Sequence, residues 1–187
     1  MAVHRRAGHR LGPGLYLERL GPHGRPAGRG GDWLWDGAGG MRWRMLGLLP
    51  LVHAGGADIA RSATGRLNLE SLWLPSALCG NDVEWSEDTT KAGSPRPHAR
   101  FAAHGETAEL TFDLDANGRL RSVVAPRWGN PGGGAFGYFP FGAAVEAESE
   151  FDGWTIPSRL RAGWHFGSER FTEGEFFRVS IDAAAFR

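Results

Sequence analysis

The chain has 187 residues, 41% of them hydrophobic, and its 21 basic side chains are matched by 21 acidic ones. That is enough apolar material for one sizeable core, and the balance excludes a bulk field that would draw the molecule to nucleic acid or to an anionic membrane. A single cysteine, Cys79, excludes an intrachain disulfide and a multi-cysteine metal site, and no run reaches the roughly 18 apolar residues of a spanning helix.

Residues 1–31 carry six arginines against one acid and are rich in Gly, Pro and His without a sustained period. Such a segment does not offset its own ordering entropy, so it is expected to be a poorly ordered leader ahead of one β-rich domain over 32–187. A basic arm for nucleic acid would need aromatic partners, and Tyr16 is the only aromatic there. The first residues lack the apolar core of a signal peptide, which makes a cytoplasmic location the default.

From Trp33 the texture changes. W-L-W-D, G-A-G-G and M-R-W-R-M-L predict a strand, a glycine turn and a second strand with Met41, Trp43 and Met45 on one face. The next stretch, GLLPLVHAGGAD, reads as a loop-like connection. Residues 59–78 form the one helical region, with Leu69, Leu72, Trp73 and Ser76 at helical spacing and Pro75 breaking it near Leu74.

After Asn81 the pattern is strands divided by turn signals, over 82–86, 98–103, 107–114, 119–126, 143–151, 155–166 and 174–182. Asp115-Ala116-Asn117-Gly118 suits a three-residue hairpin loop that sets Leu114 opposite Leu120, Phe112 opposite Ser122 and Leu110 opposite Val124. Asp152-Gly153 suits a two-residue turn that sets Phe151 opposite Trp154, Val145 opposite Leu160 and Glu146 opposite Arg159. The fold class that results is mainly β (α+β), a curved antiparallel meander of half-barrel type packed on a short helical segment.

Between these strands lies RWGNPGGGAFGYFPFG, in which Gly132, Gly134 and Gly137 match G-x-G-x-x-G. A phosphate cradle needs a strand entering and a helix leaving, and here Pro140 and an alternating segment follow instead. The glycines therefore read as a wide-swinging connection between strands, and no nucleotide or other cofactor is expected.

Several strings also resemble one family: WLPSAL at 73–78, RWGN at 127–130, GYFPFG, EFDGWTIPSRLRAGW at 150–164 and EGEFFRVSI at 173–181. They are similar to bacterial proteins known only as a domain of unknown function, with a W-L-P-x-A-L helix and a G-Y/W-x-I-P hairpin. The resemblance covers about residues 33–182 and brings no catalytic residue with it. It implies a strongly bent sheet like that of lipoprotein-carrier proteins, which wrap a helix and hold acyl chains on the concave face. Members of the family have further strands ahead of the position of Trp33, which implies a truncated or misassigned start or dispensable strands. Missing strands would leave an exposed edge through which the chain self-associates.

Three constellations compete for function. Glu146, Glu148 and Glu150 alternate on one strand and Arg159 and Arg161 on its neighbour, either as a polar site for a hydrolase or isomerase that would include His165, or as a solvated face of cross-strand ion pairs. His165 has no nucleophile elbow or metal-ligand companion in the sequence, so no metal is expected. The aromatic stock is the positive signal. Trp128, Phe136, Tyr138 and Trp164, with Glu146, Arg159 and His165 at the margin, are the candidate ligand-binding residues. One short helix covers little of a bent sheet, and the surplus aromatics would wall a groove for an apolar or lipid-like molecule, bound without chemistry. A structural interaction module with an exposed edge and no pocket is the third reading.

Overall fold

A computed structural model describes residues 28–35, 38–45, 49–90, 93–103 and 105–186, and the side chains among them from Gly55 onward apart from Ala103. The expected leader falls outside these residues up to position 27, as do the side-chain faces of the first strands. Strand β1 (Gly28–Trp35) starts before Trp33, pairing with β2 (Ala38–Met45), and β2 pairs in turn with β3 (Leu49–Gly55). The stretch read as a loop-like connection is thus a strand; its proline and paired glycines hid a segment that β2 templates.

Helix α1 (Ala57–Glu70) runs into a 3-10 turn (Ser71–Trp73) and a one-turn helix α2 (Pro75–Leu78), so the chain changes direction at Leu74 as Pro75 requires. Seven strands follow: β4 (Glu84–Thr89), β5 (Pro95–Ala103), β6 (Glu106–Leu114), β7 (Leu120–Gly129), β8 (Gly137–Phe151), β9 (Trp154–Trp164) and, after the short α3 (Phe171–Gly174), β10 (Glu175–Ser180). Their spatial order equals their order in sequence and every pairing is antiparallel, so the sheet is an open, curved meander. Strand β8 begins six residues ahead of the expected 143, because Trp128 and Tyr138 pair and the aromatic run extends the ladder into the glycine loop.

The core occupies the concave face. Leu110 and Phe112 of β6, Val123 and Ala125 of β7, Phe141 and Ala143 of β8, and Leu160 and Ala162 of β9 meet Leu69 and Leu72 from the helical segment. Helix α1 touches β6 and β7 of this sheet and also β1, β2 and β3. Its Gly65 lets the Arg127 stem pass, since a Cβ there would lie 3.0 Å from Arg127 Cγ.

Bulges revise the two hairpin registers. Leu114 opposes Leu120 as expected, but a shift beyond it sets Phe112 against Val123 and Asp113 against Ser122. The slip changes which side chains share a face: Val123 and Ala125 go inward, while Ser122 turns its hydroxyl to Asp113 at 2.9 Å. In the second hairpin Asp152 and Gly153 both take positive φ, Phe151 opposes Trp154 and Val145 opposes Leu160. A bulge between them makes Ala147 rather than Glu146 the backbone partner of Arg159.

The β6–β7 turn is held by one carboxylate. Asp115 Oδ1 accepts the amides of Asn117 at 2.9 Å and Arg119 at 3.0 Å, and these bonds, chiefly that from Arg119, hold its pKa below the ordinary carboxylate value. A carboxylate with a depressed folded pKa stabilises above its unfolded pKa and loses that contribution as pH falls through the folded value. The denaturation midpoint should therefore fall on acidification through and below the ordinary aspartate range, and Asp115→Asn should flatten part of that slope. An unchanged acid slope in the variant would show that the turn does not contribute.

Candidate functional site

Six inter-strand spacings of about 4.8 Å make the sheet about 29 Å wide, whereas a helix is about 10 Å across. Helix α1 sits over β6 and β7, and the concave face of β8, β9 and β10 lies beside it. Along that flank runs a cavity of about 820 Å³. Its floor is Phe141 and Ala143 of β8, Leu160, Ala162 and Trp164 of β9, and Phe176 with Phe177 of β10. Consecutive phenylalanines reach it because a bulge at the start of β10 disturbs the alternation.

The opposite wall is polar. Asp58, Ser62, Arg66 and Glu70, each four residues from the last, form a stripe along the cavity side of α1, closed at the far end by Leu69, Leu72 and Trp73. Arg66 Nε lies 3.3 Å from Glu70 Oε1. From the sheet side comes Arg127, only 4% exposed. Its Nε donates to the Ser62 carbonyl at 3.1 Å and Nη2 to the Ser62 hydroxyl at 3.3 Å, while its guanidinium lies 4.5 Å from the Phe141 ring centroid and 4.8 Å from that of Trp164. Gly55, Gly56, Asn130, Pro131 and Phe136 complete the near end.

Of the residues expected to bind ligand, Phe136 and Trp164 line this cavity, with the Trp164 ring edge-on to Phe141 at 5.0 Å between centroids. Trp128 and Tyr138 do not line it; they clasp the Arg61 side of α1. Arg61 stacks 4.2 Å from the Trp128 centroid and donates to Tyr138 Oη at 2.9 Å, Tyr138 donates to Glu106 at 3.0 Å, and Glu106 pairs with Arg61 Nε at 2.8 Å. The hydrogen bond to Glu106 raises the Arg61 pKa further above its already high ordinary value. Trp128 Nε1 donates to Asp58 at 2.8 Å and its ring stacks on Phe136, so it backs the cavity wall from behind.

The profile of DUF6920, a family of unknown function, matches residues 25–186. The chain belongs to it. Neither a curated protein nor a solved structure matches the chain. The expected membership in a family of unknown function is thereby shown, and in this chain Trp73 of WLPSAL, Arg127, Gly129 and Asn130 of RWGN, and Trp164 at the end of EFDGWTIPSRLRAGW line the cavity.

The polar constellation lies on the other surface. Leu160 and Ala162 are buried, so Arg159 and Arg161 between and beside them point outward. Glu146 pairs with Arg159 at 3.3 Å and Arg161 at 2.9 Å, and Glu175 extends the network through Arg161 at 2.9 Å. Glu148 instead accepts the Leu120 amide at 3.3 Å. His165 is not on the strand face at all: β9 ends at Trp164, and His165 takes a left-handed φ of 59° while its amide donates to the Pro140 carbonyl at 2.8 Å. None of these groups lines the cavity beside α1. Among the described residues no set of three His, Cys, Asp or Glu side chains is grouped to hold a metal ion, and no helix is long and apolar enough to cross a membrane.

Sequence reasoning missed Ser62, Arg66, Glu70 and Arg127. The signals were there: an i, i+4, i+8, i+12 polar series on the helix, and an arginine in phase with Val123 and Ala125 on the inward face of β7.

Proposed function

We propose that this domain binds an apolar or lipid-like small molecule in the cavity between α1 and the concave face of β8–β10, without chemistry of its own. The observation that supports it is the 820 Å³ space floored by Phe141, Leu160, Trp164 and Phe177, which falls in the ordinary size range of ligand sites. An apolar ligand there removes its own surface and that of the floor from water, at about 25 cal/mol per Å². The polar stripe of α1 opposite the aromatic floor gives such a ligand an orientation, because its hydrogen-bonding groups face that stripe.

The test is titration with the neutral dye N-phenyl-1-naphthylamine. Wild type should bind it with enhanced fluorescence. Ala143→Phe, which fills the floor, should weaken binding about tenfold or more, equivalent to about 1.4 kcal/mol. Phe176→Ser should also weaken it with little loss of stability, since Phe176 is 38% exposed at the rim. No dye binding by folded wild type, or equal binding by Ala143→Phe, would overturn the proposal.

A further inference from the structure

We infer that the cavity is a length gauge for a single-chain amphiphile, which enters tail first and whose chain is stopped by the Trp73 indole. The inference rests on the cavity being a ligand site. The space is long rather than round: α1 lines it from Ala57 to Glu70, the whole 14-residue helix, and so over about 21 Å. The sheet gives a similar span. Lining residues run from the level of Gly129, opposite Gly137, to that of Leu160, opposite Val145, which is about 26 Å along β8 at roughly 3.3 Å per residue.

The two ends differ. Gly55 to Asp58 and the flanking Gly132 to Ala135 are exposed, and a Cβ on Gly56, Gly132, Gly133 or Gly134 would meet nothing within 4 Å, whereas Leu69 and Leu72 at the other end are buried. Asp58 and Asn130 stand at the open end, where a polar head stays in reach of water. Across the buried end stands Trp73. Its Nε1 donates at 2.9 Å to the carbonyl of Pro157, three residues past Leu160 on β9, and its ring packs against the core, so it has to break that bond to swing aside. An apolar tail therefore gains from each methylene until it meets this ring; a longer chain has to overpack the end or leave methylenes in water at the mouth. At about 1.2 Å per bond for an extended chain, a span of about 21 Å holds a chain of palmitoyl length.

The experiment displaces N-phenyl-1-naphthylamine from the full chain with 1-monoacylglycerols of lauroyl, myristoyl, palmitoyl, stearoyl and arachidoyl chains, whose common head leaves chain length as the one variable. On wild type each step should tighten binding about tenfold up to palmitoyl, and the two longer homologues should gain about twofold or less. Trp73→Ala should let stearoyl glycerol gain about tenfold over palmitoyl glycerol while lauroyl glycerol is little changed. Phe176→Ser, at the exposed rim, should weaken every homologue alike and leave the limit where it is. A steady rise through arachidoyl on wild type, no displacement of a bound dye by any homologue, or a limit that Trp73→Ala does not move would each overturn the inference although the cavity reading stands. Should wild type bind no dye, the cavity reading fails and this inference falls with it. If Trp73→Ala does not fold, Trp73→Phe, which keeps a ring on the core, should still let stearoyl glycerol gain about threefold, and an unmoved limit in that variant overturns the inference as well.

Discussion

Gly163→Ala is expected to destabilise the domain by about 3 kcal/mol or more, the upper end of what overpacking costs. A methyl at Gly163 would overlap the carbonyl oxygen of Gly174 and stand 2.6 Å from Glu175 Cα. Both obstacles are backbone, so no rotamer change relieves them, and β10 would have to lift from β9. That strand brings Val179 into the core and Phe176 and Phe177 to the cavity floor, so the damage reaches the site as well. Gly174→Ala should behave alike, because its methyl would overlap the Trp164 carbonyl, and the double variant should fall short of the sum of the two. Gly132→Ala is the control, since a methyl there would meet nothing within 4 Å. Urea midpoints for wild type and these variants decide the matter; a Gly163→Ala midpoint equal to wild type would refute the close approach of β9 and β10.

Arg127→Ala should cost about 3 kcal/mol, the scale for removing hydrogen bonds from a charged group together with a long buried stem. This arginine fastens α1 to β7 through Ser62 and fills the space between that helix and the Phe141 and Trp164 rings. Arg127→Lys keeps the charge but loses the planar fork that reaches two acceptors and lies flat on the rings, so it should recover only part of the loss. Thermal and urea unfolding measure both. A lysine variant as stable as wild type would mean that charge alone matters and that the fork and stacking do not.

Much of the fold was legible because local chemistry and tertiary structure agree in it. Asp152-Gly153 and Asp115 to Gly118 announce their hairpins, and Pro75 breaks the helical region at Leu74 and opens the one-turn α2. What escaped depends on partners distant in sequence. Strand β3 and the first half of β8 look like loops by their glycines and prolines, and become strands only against β2 and β7. The bulges that reset Phe112 and Glu146 follow from which side chains the core accepts, not from turn type. For the site, the surplus of aromatics was legible but its location was not. Trp128 and Tyr138 carry polar tips, those tips bond to Asp58, Arg61 and Glu106, and neither side chain is part of the cavity lining.

The clasp on α1 has a consequence for synthesis on the ribosome. Ser62 waits for Arg127, 65 positions later, and Asp58 waits for Trp128, 70 positions later. At translation speeds of about 5–20 residues per second, the helix spends on the order of 3–14 s without these partners. Over that interval Leu69, Leu72 and Trp73 lack most of the β6–β9 core they pack against, and a 14-residue helix by itself is marginal in water. The meander, by contrast, can zip up hairpin by hairpin as each strand emerges, since every strand pairs with its predecessor. The helix therefore docks onto a sheet already under construction, and the cavity closes last, when β10 leaves the exit tunnel.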